Sequence, residues 1–536
     1  MHFKYSCWLY LSLFNLVVGC KDTTRQTAPS VLHYNQPNFI TSLDPAFAKS
    51  QNNIWAVDHI YNQLIDLNDS LQLVPELATL WKIEDGGTKY TFQLRRDVYF
   101  HEDSCFVNHK TRLLNAHDVV FSFSRLLDPE LAAPGSWVFS GIVDSLKPFY
   151  AENDSTFIIQ LKKPFSPLLK ILTMQYCSIV PKEAVDYYGK KFALHPVGTG
   201  PFRIKKWIGR QGLFLSKNEE YFIPGAPLLE GVRISFIEDR NTAYLEFLKN
   251  KIDFFSGLQS GFALQLLDQT GNLQTDKLNS LQYFKQDFLN TEYLGFNLEV
   301  LPKSHALQNS KVRQALNYAI DKKSLIRNFR YGVGTPAHAG FIPKGLKSYE
   351  ESTIGYAYNA IKAKELLDEA GYYNLPLEDA QVIVNTNKEY LELVTFITRQ
   401  WQEIGIKVTI ELLETATLRE KMRQGSLACF RASWIADYPD EESFMAVFYS
   451  QNDAPPNYMR FKSSQFDVLY DQSVIQSDET VRKDLFRKMD AIIIKEAPVV
   501  FLYYDQTSCF AQNHVKGLKI NALNLLKLET VNEMNH

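Results

Sequence analysis

Between Lys89 and Leu94 polar and apolar residues alternate, with Tyr90, Phe92 and Leu94 on one side and Lys89, Thr91 and Gln93 on the other. A period of two marks a strand with one buried face, and the preceding Asp85-Gly86-Gly87 is a strong turn. Similar reasoning places strands at 156–161 (stopped by Pro164), 203–208, 213–215 and 234–237. Helical spacing dominates elsewhere. Asp118 is expected to cap an apolar segment reaching Leu127, and a helix is expected over 241–248. Ser310 is expected to cap a helix with Val312, Leu316, Ala319 and Ile320 inward. Asp321 caps the next, with Leu325, Ile326 and Phe329 inward, and Asn359 a third, with Ile361, Leu366, Leu367 and Ala370 inward. Segments 382–384, 389–403 and 406–410 then read strand, helix, strand, which implies a partly parallel sheet. A helix over 481–495 is broken by Ala497-Pro498 and followed by a strand, 499–503.

The stretch from Cys429 to Asp440 carries the most chemistry per residue. It begins as a short apolar run fit for a buried strand and ends in a turn at Pro439 and Asp440. Arg431, Trp434 and Asp437 stand close together there: one cation, one stacking surface and one anion. That set suits a zwitterionic ligand. The breaker cluster Pro196 to Phe202 is a candidate hinge; it lacks the Lys-Ser/Thr ending of a phosphate loop.

A chain of 536 residues is too long for one ordinary core, so two or three domains are expected. Apolar residues at 45% and charged residues at 22% fit a folded soluble protein. A net charge of −3 gives no electrostatic footprint for nucleic acid. Lys4 followed by a mostly apolar run from Cys7 to Val18 fits a secretory signal, too short to span a bilayer. Val17-Val18-Gly19-Cys20 resembles the lipobox of bacterial lipoproteins, which makes Cys20 the expected lipidation site, with 20–30 as a polar tether. Cys105, Cys177, Cys429 and Cys509 are scattered and are expected to be free thiols, and no metal site is read from them.

Several motifs taken together resemble one family. Trp81, Asp85-Gly86, Tyr90 to Arg95, Val98 to His101 and Ala116 to Ser122 look like the N-terminal signature of the family 5 extracellular solute-binding proteins. These are the oligopeptide and dipeptide receptors of bacterial ABC importers. Gly198 to Phe202, Val312 to Leu316, Ala319 to Asp321, Ala363 to Leu367, Ala370 to Tyr372 and Ala497 to Val500 follow in family order. Arg431, Ala432, Trp434, Ala436, Asp437 and Tyr438 match the pattern that oligopeptide receptors carry on a lobe-two strand.

The resemblance implies an α/β, two-lobed periplasmic-binding-protein clamshell with an additional inserted domain. The divisions it implies are a signal at 1–19, lobe one at 31–60, 195–290 and 496–536, the insert at 61–194, and lobe two at 291–495. It implies that Asp437 pairs with a ligand's α-ammonium, that the backbone of Ser433 to Ile435 hydrogen-bonds an extended peptide, and that Arg431 reaches a carboxylate, with Trp434 and Tyr438 lining the cleft. The expected activity is capture of short peptides and their delivery to an ABC permease by a monomer held at the cell envelope by its lipid. No chemistry and no cofactor are implied. Family members also bind nickel complexes, haem, murein peptides or oligosaccharides, so another solute remains an alternative, as does an adhesin or chaperone-like role. Two departures are the long loop Glu102 to Leu114 and the acidic run Pro439 to Glu442.

Overall fold

The computed structural model describes residues 30–353 and 355–533. The lipobox with Cys20 lies outside them. Ten strands form the path of the main sheet. They are β1 (Val31–Asn35), β2 (Phe202–Ile208), β3 (Gly212–Lys217), β4 (Gly231–Ser235), β5 (Phe254–Ser256), β6 (Leu281–Phe296), β7 (Val382–Thr386), β8 (Val408–Leu412), β9 (Cys429–Ile435) and β10 (Val499–Gln512). Their order is β8-β7-β9-β6-β10-β5-β1-β4-β3-β2, and Thr335–Pro336 adds an eleventh strand against β10. β7 and β8 pair in parallel, as the strand–helix–strand reading implies. The fold is mixed α/β.

β6 and β10 are much longer than the patterns at 294–297 and 499–503 indicate, and they pair along almost their whole length. Their register slips between Asp287 and Thr291, and again between Glu292 and Tyr293. Neighbouring residues feed opposite faces, as alternation in a strand requires. Leu294 and Leu502 join one core with Trp401, while Tyr293 and Phe501 join another with Phe444. A third core draws on residues 32–236 together with Phe254, Tyr438 and residues between Cys509 and Val531. It includes a separate four-stranded sheet, ordered Ala78–Glu84, Lys89–Leu94, Thr156–Gln160, Phe149–Asn153. Tyr90, Phe92 and Leu94 are buried there, as their alternation predicts.

Three cap or facing expectations shift. The helix Ala116–Leu126 is capped by Asn115, with Asp118 returning a bond to the Asn115 N–H as the second half of a capping box. Asn309, not Ser310, caps the helix Ser310–Tyr318. Ile361 is 74% exposed, because Ala363, Leu366 and Leu367 already fill the buried stripe of its helix. The breaker cluster is a tight backbone joint. A Cβ on Gly198 would stand 2.1 Å from the Ile60 carbonyl oxygen, and the Gly200 N–H donates to that same oxygen at 2.8 Å.

Candidate functional site

β9 is open along part of one edge. It pairs antiparallel with β6 from Cys429 to Ile435, but with β7 only at Cys429 and Phe430. β7 ends at Thr386, and the chain turns away through Lys388–Tyr390. The Ala428 carbonyl accepts from the Asn297 N–H, and the Ala436 N–H donates to the Leu289 carbonyl, both on the β6 side. Strand parity therefore turns the backbone groups of Arg431, Ser433 and Ile435 toward the open edge.

Asp437 sits in the turn just past this edge. It lines two adjoining cavities, of ≈ 330 Å³ and ≈ 520 Å³. The smaller is walled by Trp55, Met174, Tyr176, Phe288 and Ile435. The larger is aromatic, with Trp137, Phe165, Trp434 and Tyr438. Asp437 is exposed to the cleft, though the walls of both cavities crowd its carboxylate and partly desolvate it. That desolvation pushes its carboxyl up to about 6. Among the described residues it has neither a cation nor a hydrogen-bond donor. A third cavity, of ≈ 470 Å³, continues past Gln51, Trp55, Phe288 and Asn524, which also line the smallest one. It reaches Arg240 and Asp505 and, on the far wall, Arg330 and Glu389.

The other residues of the stretch have definite partners. Trp434 donates its indole N–H to the Ser443 carbonyl at 2.7 Å. Tyr438 donates to Glu442, which also accepts from Tyr470. Ser433 is half-buried, and Ile435 is half-exposed in the cleft. Arg431 points away from these cavities. Its guanidinium pairs with Glu292 and lies 3.2 Å from the Tyr390 ring centroid. Its charge is thus committed within the protein, which the spacing of residues along β9 gave no sign of. Glu292 is fully enclosed, and burial raises its carboxyl even beside Arg431.

The acidic run Pro439 to Glu442 is structural. Arg482 forks onto both Asp440 oxygens at 2.7 and 2.6 Å, and Lys170 adds a third contact at 2.9 Å. These two cations hold the Asp440 carboxyl down at about 2 against its complete burial. Glu441 accepts the Ser348 N–H at 2.9 Å. Trp55, Tyr176, Phe288 and Arg240 escaped the sequence reading because each comes from a distant segment with no local signal of its own.

The family model for bacterial extracellular solute-binding proteins, family 5 Middle, matches residues 72–456. The heme-binding protein A of Haemophilus influenzae is 32% identical over 457 residues, covering 82% of this chain and 80% of that protein. The dipeptide-binding protein of Escherichia coli is 26% identical over 490 residues, 88% of each. A solved ABC-transporter-associated periplasmic binding protein of Helicobacter pylori, in complex with the peptide STSA, is 29% identical with a TM-score of 0.76. The match covers 93% of this chain and 98% of that one. The fold is that of two-lobed periplasmic binding proteins.

Proposed function

This chain belongs to the bacterial extracellular solute-binding proteins of family 5, and from that premise we propose that it captures short peptides between two lobes. The ligand lies extended along the open edge of β9, where the backbone groups of Ser433 and Ile435 supply affinity that does not depend on its side chains. Its ammonium end rests on Asp437. Trp434, Tyr438 and Ile435 line the neighbouring walls. The observation that carries this reading is a partly desolvated carboxylate, without a partner among the described residues, at the end of an unpaired strand edge. Partial desolvation leaves such a group more to gain from a ligand's cation than an ordinary surface carboxylate has.

The lobes correspond to 31–60, 195–290 and 496–536 for the first and 291–495 for the second, with 61–194 inserted. Delivery to an ABC permease and tethering through a lipid on Cys20 complete the proposal. Haem is the strongest competitor, given the 32% identical relative. Its two anionic propionates would meet an uncompensated carboxylate at Asp437, which favours a cationic end instead.

Calorimetric titration with di- to pentapeptides, glutathione and haem tests the reading. Saturable binding of peptides with free amino termini is expected. Tight binding of haem, a sugar or a metal chelate alongside no peptide binding would overturn it.

A further inference from the structure

β2 is the last strand on the path of the main sheet and pairs only with β3. Beside it opens a cavity of ≈ 700 Å³ that shares no lining residue with the three cavities of the cleft. Phe39, Ile40, Leu194 and Trp207 form its apolar walls, Lys205, Lys206 and Arg210 stand among them, and no carboxylate lines it. The three cations are exposed, and so are Lys190 and Lys191, in the turn Gly189–Leu194 that runs into the cavity wall. Among the described residues none of these five side chains has an ion pair or a hydrogen bond. Arg210 rests on the Phe39 ring, 4.3 Å from its centroid. The acids on neighbouring segments are already taken: Glu102 pairs with Arg203 at 3.5 Å, Asp186 with Lys182 at 2.5 Å and Glu183 with Arg112 at 2.7 Å. A chain of net charge −3 thus gathers uncommitted cations around an apolar hollow.

We propose that this basic and aromatic face docks on an anionic lipid surface and so orients the anchored protein on its membrane. Lysines that guard an open strand edge against stray pairing would account for Lys205 and Lys206 alone. That role leaves Arg210, Lys190, Lys191 and the hollow between them unexplained. Anionic lipid answers both halves of the face. Headgroup phosphates meet the cations. Trp207, Phe39 and Leu194 suit the boundary below the headgroups, where tryptophan and lysine concentrate. The Trp207 indole N–H donates to the Gly209 carbonyl at 3.0 Å, which fixes the ring against the turn that carries Arg210.

The placement rests on the proposed tether through Cys20 and not on the peptide reading. Ten residues separate Cys20 from Val31, enough chain for about 35 Å. Strand register puts Asn35, Ser235, Gly212 and Ile208 in one row, at the end of the sheet away from Val31. From Val31 to that end of β2 is four residues along β1 and three strands across, about 20 Å. The tether therefore reaches. Past β1 the chain lines the cleft as far as Asn38, then lines this cavity from Phe39 to Thr41. A lobe lying on lipid by this face holds the rim of its cleft beside the membrane, where a permease would receive the ligand.

Hydrogen exchange of the full-length chain, reconstituted on vesicles of phosphatidylcholine alone or mixed with phosphatidylglycerol, tests the docking. Amides over 39–41 and 204–210 are expected to exchange roughly fivefold more slowly on the mixed vesicles, and about 0.5 M NaCl should abolish the difference. Lys205→Gln, Lys206→Gln and Arg210→Gln combined should also abolish it. That variant should match the wild type on phosphatidylcholine, which shows that it is folded. Lys407→Gln, Arg419→Gln and Lys421→Gln combined, an equal loss of charge on the other half of the sheet, should leave the protection in place. Equal wild-type exchange on both vesicles, or protection that survives the first triple substitution, would overturn the proposal. The same protection from free glycerol phosphate over phosphatidylcholine would overturn it in favour of a small-anion pocket. Mixed vesicles that capture and protect a chain which phosphatidylcholine releases would remove the lipid tether and uphold the docking.

Discussion

Asp437 is governed by desolvation. Its carboxyl titrates at about 6, raised from 3.8 by desolvation, with no cation among the described residues to lower it. A ligand ammonium can pair only with the ionised form. Affinity for peptides with a free amino terminus should therefore fall by about tenfold per pH unit below that value, while N-acetylated peptides show no such dependence. Calorimetry across the acid range checks this, and parallel pH profiles for the two peptide types would contradict it. The same shift acts on stability. Because the folded value lies above the unfolded one, the stability this group contributes is fully present below 3.8 and lost as pH rises through about 6. Asp437→Asn should then leave the ligand-free protein more stable than the wild type near pH 7 in urea titrations; a less stable variant would contradict the account. Asp58 and Asp490, also raised by burial, titrate at about 7 with the same sign, so the variant and the wild type must be compared at equal pH. Asp437 was legible in the sequence because its strand, its turn and its motif are contiguous. Arg240 was not, because only the folded sheet brings its helix to the cleft.

The turn after β9 shows how one element combines two duties. Its first residue, Asp437, has no partner among the described residues, while Asp440, three residues on, is among the most heavily paired groups described. Asp440→Asn would strand Arg482, whose side chain is only 10% exposed, beside a neutral amide. A loss of about 3–5 kcal/mol in unfolding free energy is expected. A change within about 0.5 kcal/mol, the range of an ordinary surface substitution, would contradict this role. Sequence patterns located most elements because local periodicity and caps set them. They failed for β6 and β10, whose central residues pass from one half of the sheet to the other. Over 282–292 polar and apolar residues mix without a steady period, since the burial of each face changes along the strand. The acidic run 439–442 was equally opaque, because its partners lie at positions 170, 348, 470 and 482.

For the molecule as a whole, β6 and β10 are the physical links between the halves of the sheet, and their register breaks lie beside Phe288 and Asp505 in the cleft wall. The segment 165–171 of the four-stranded unit also reaches across to the second half. The Ser166 N–H donates to the Val474 carbonyl at 2.7 Å, and Lys170 reaches Asp440. If the lobes open and close about the long strands, these contacts favour the closed arrangement. Lys170→Met should then raise the radius of gyration of the ligand-free protein in X-ray scattering and weaken every bound peptide by one common factor. Selective loss of particular peptides would contradict it.

The most direct test of the central claim is a two-by-two calorimetric cycle: wild type and Asp437→Asn, each with a bound peptide and its N-acetylated form. The account predicts that acetylation and substitution each cost roughly tenfold or more when made singly, and that the second adds almost nothing once the first is present. Independent, multiplying losses would show that Asp437 does not hold the ammonium.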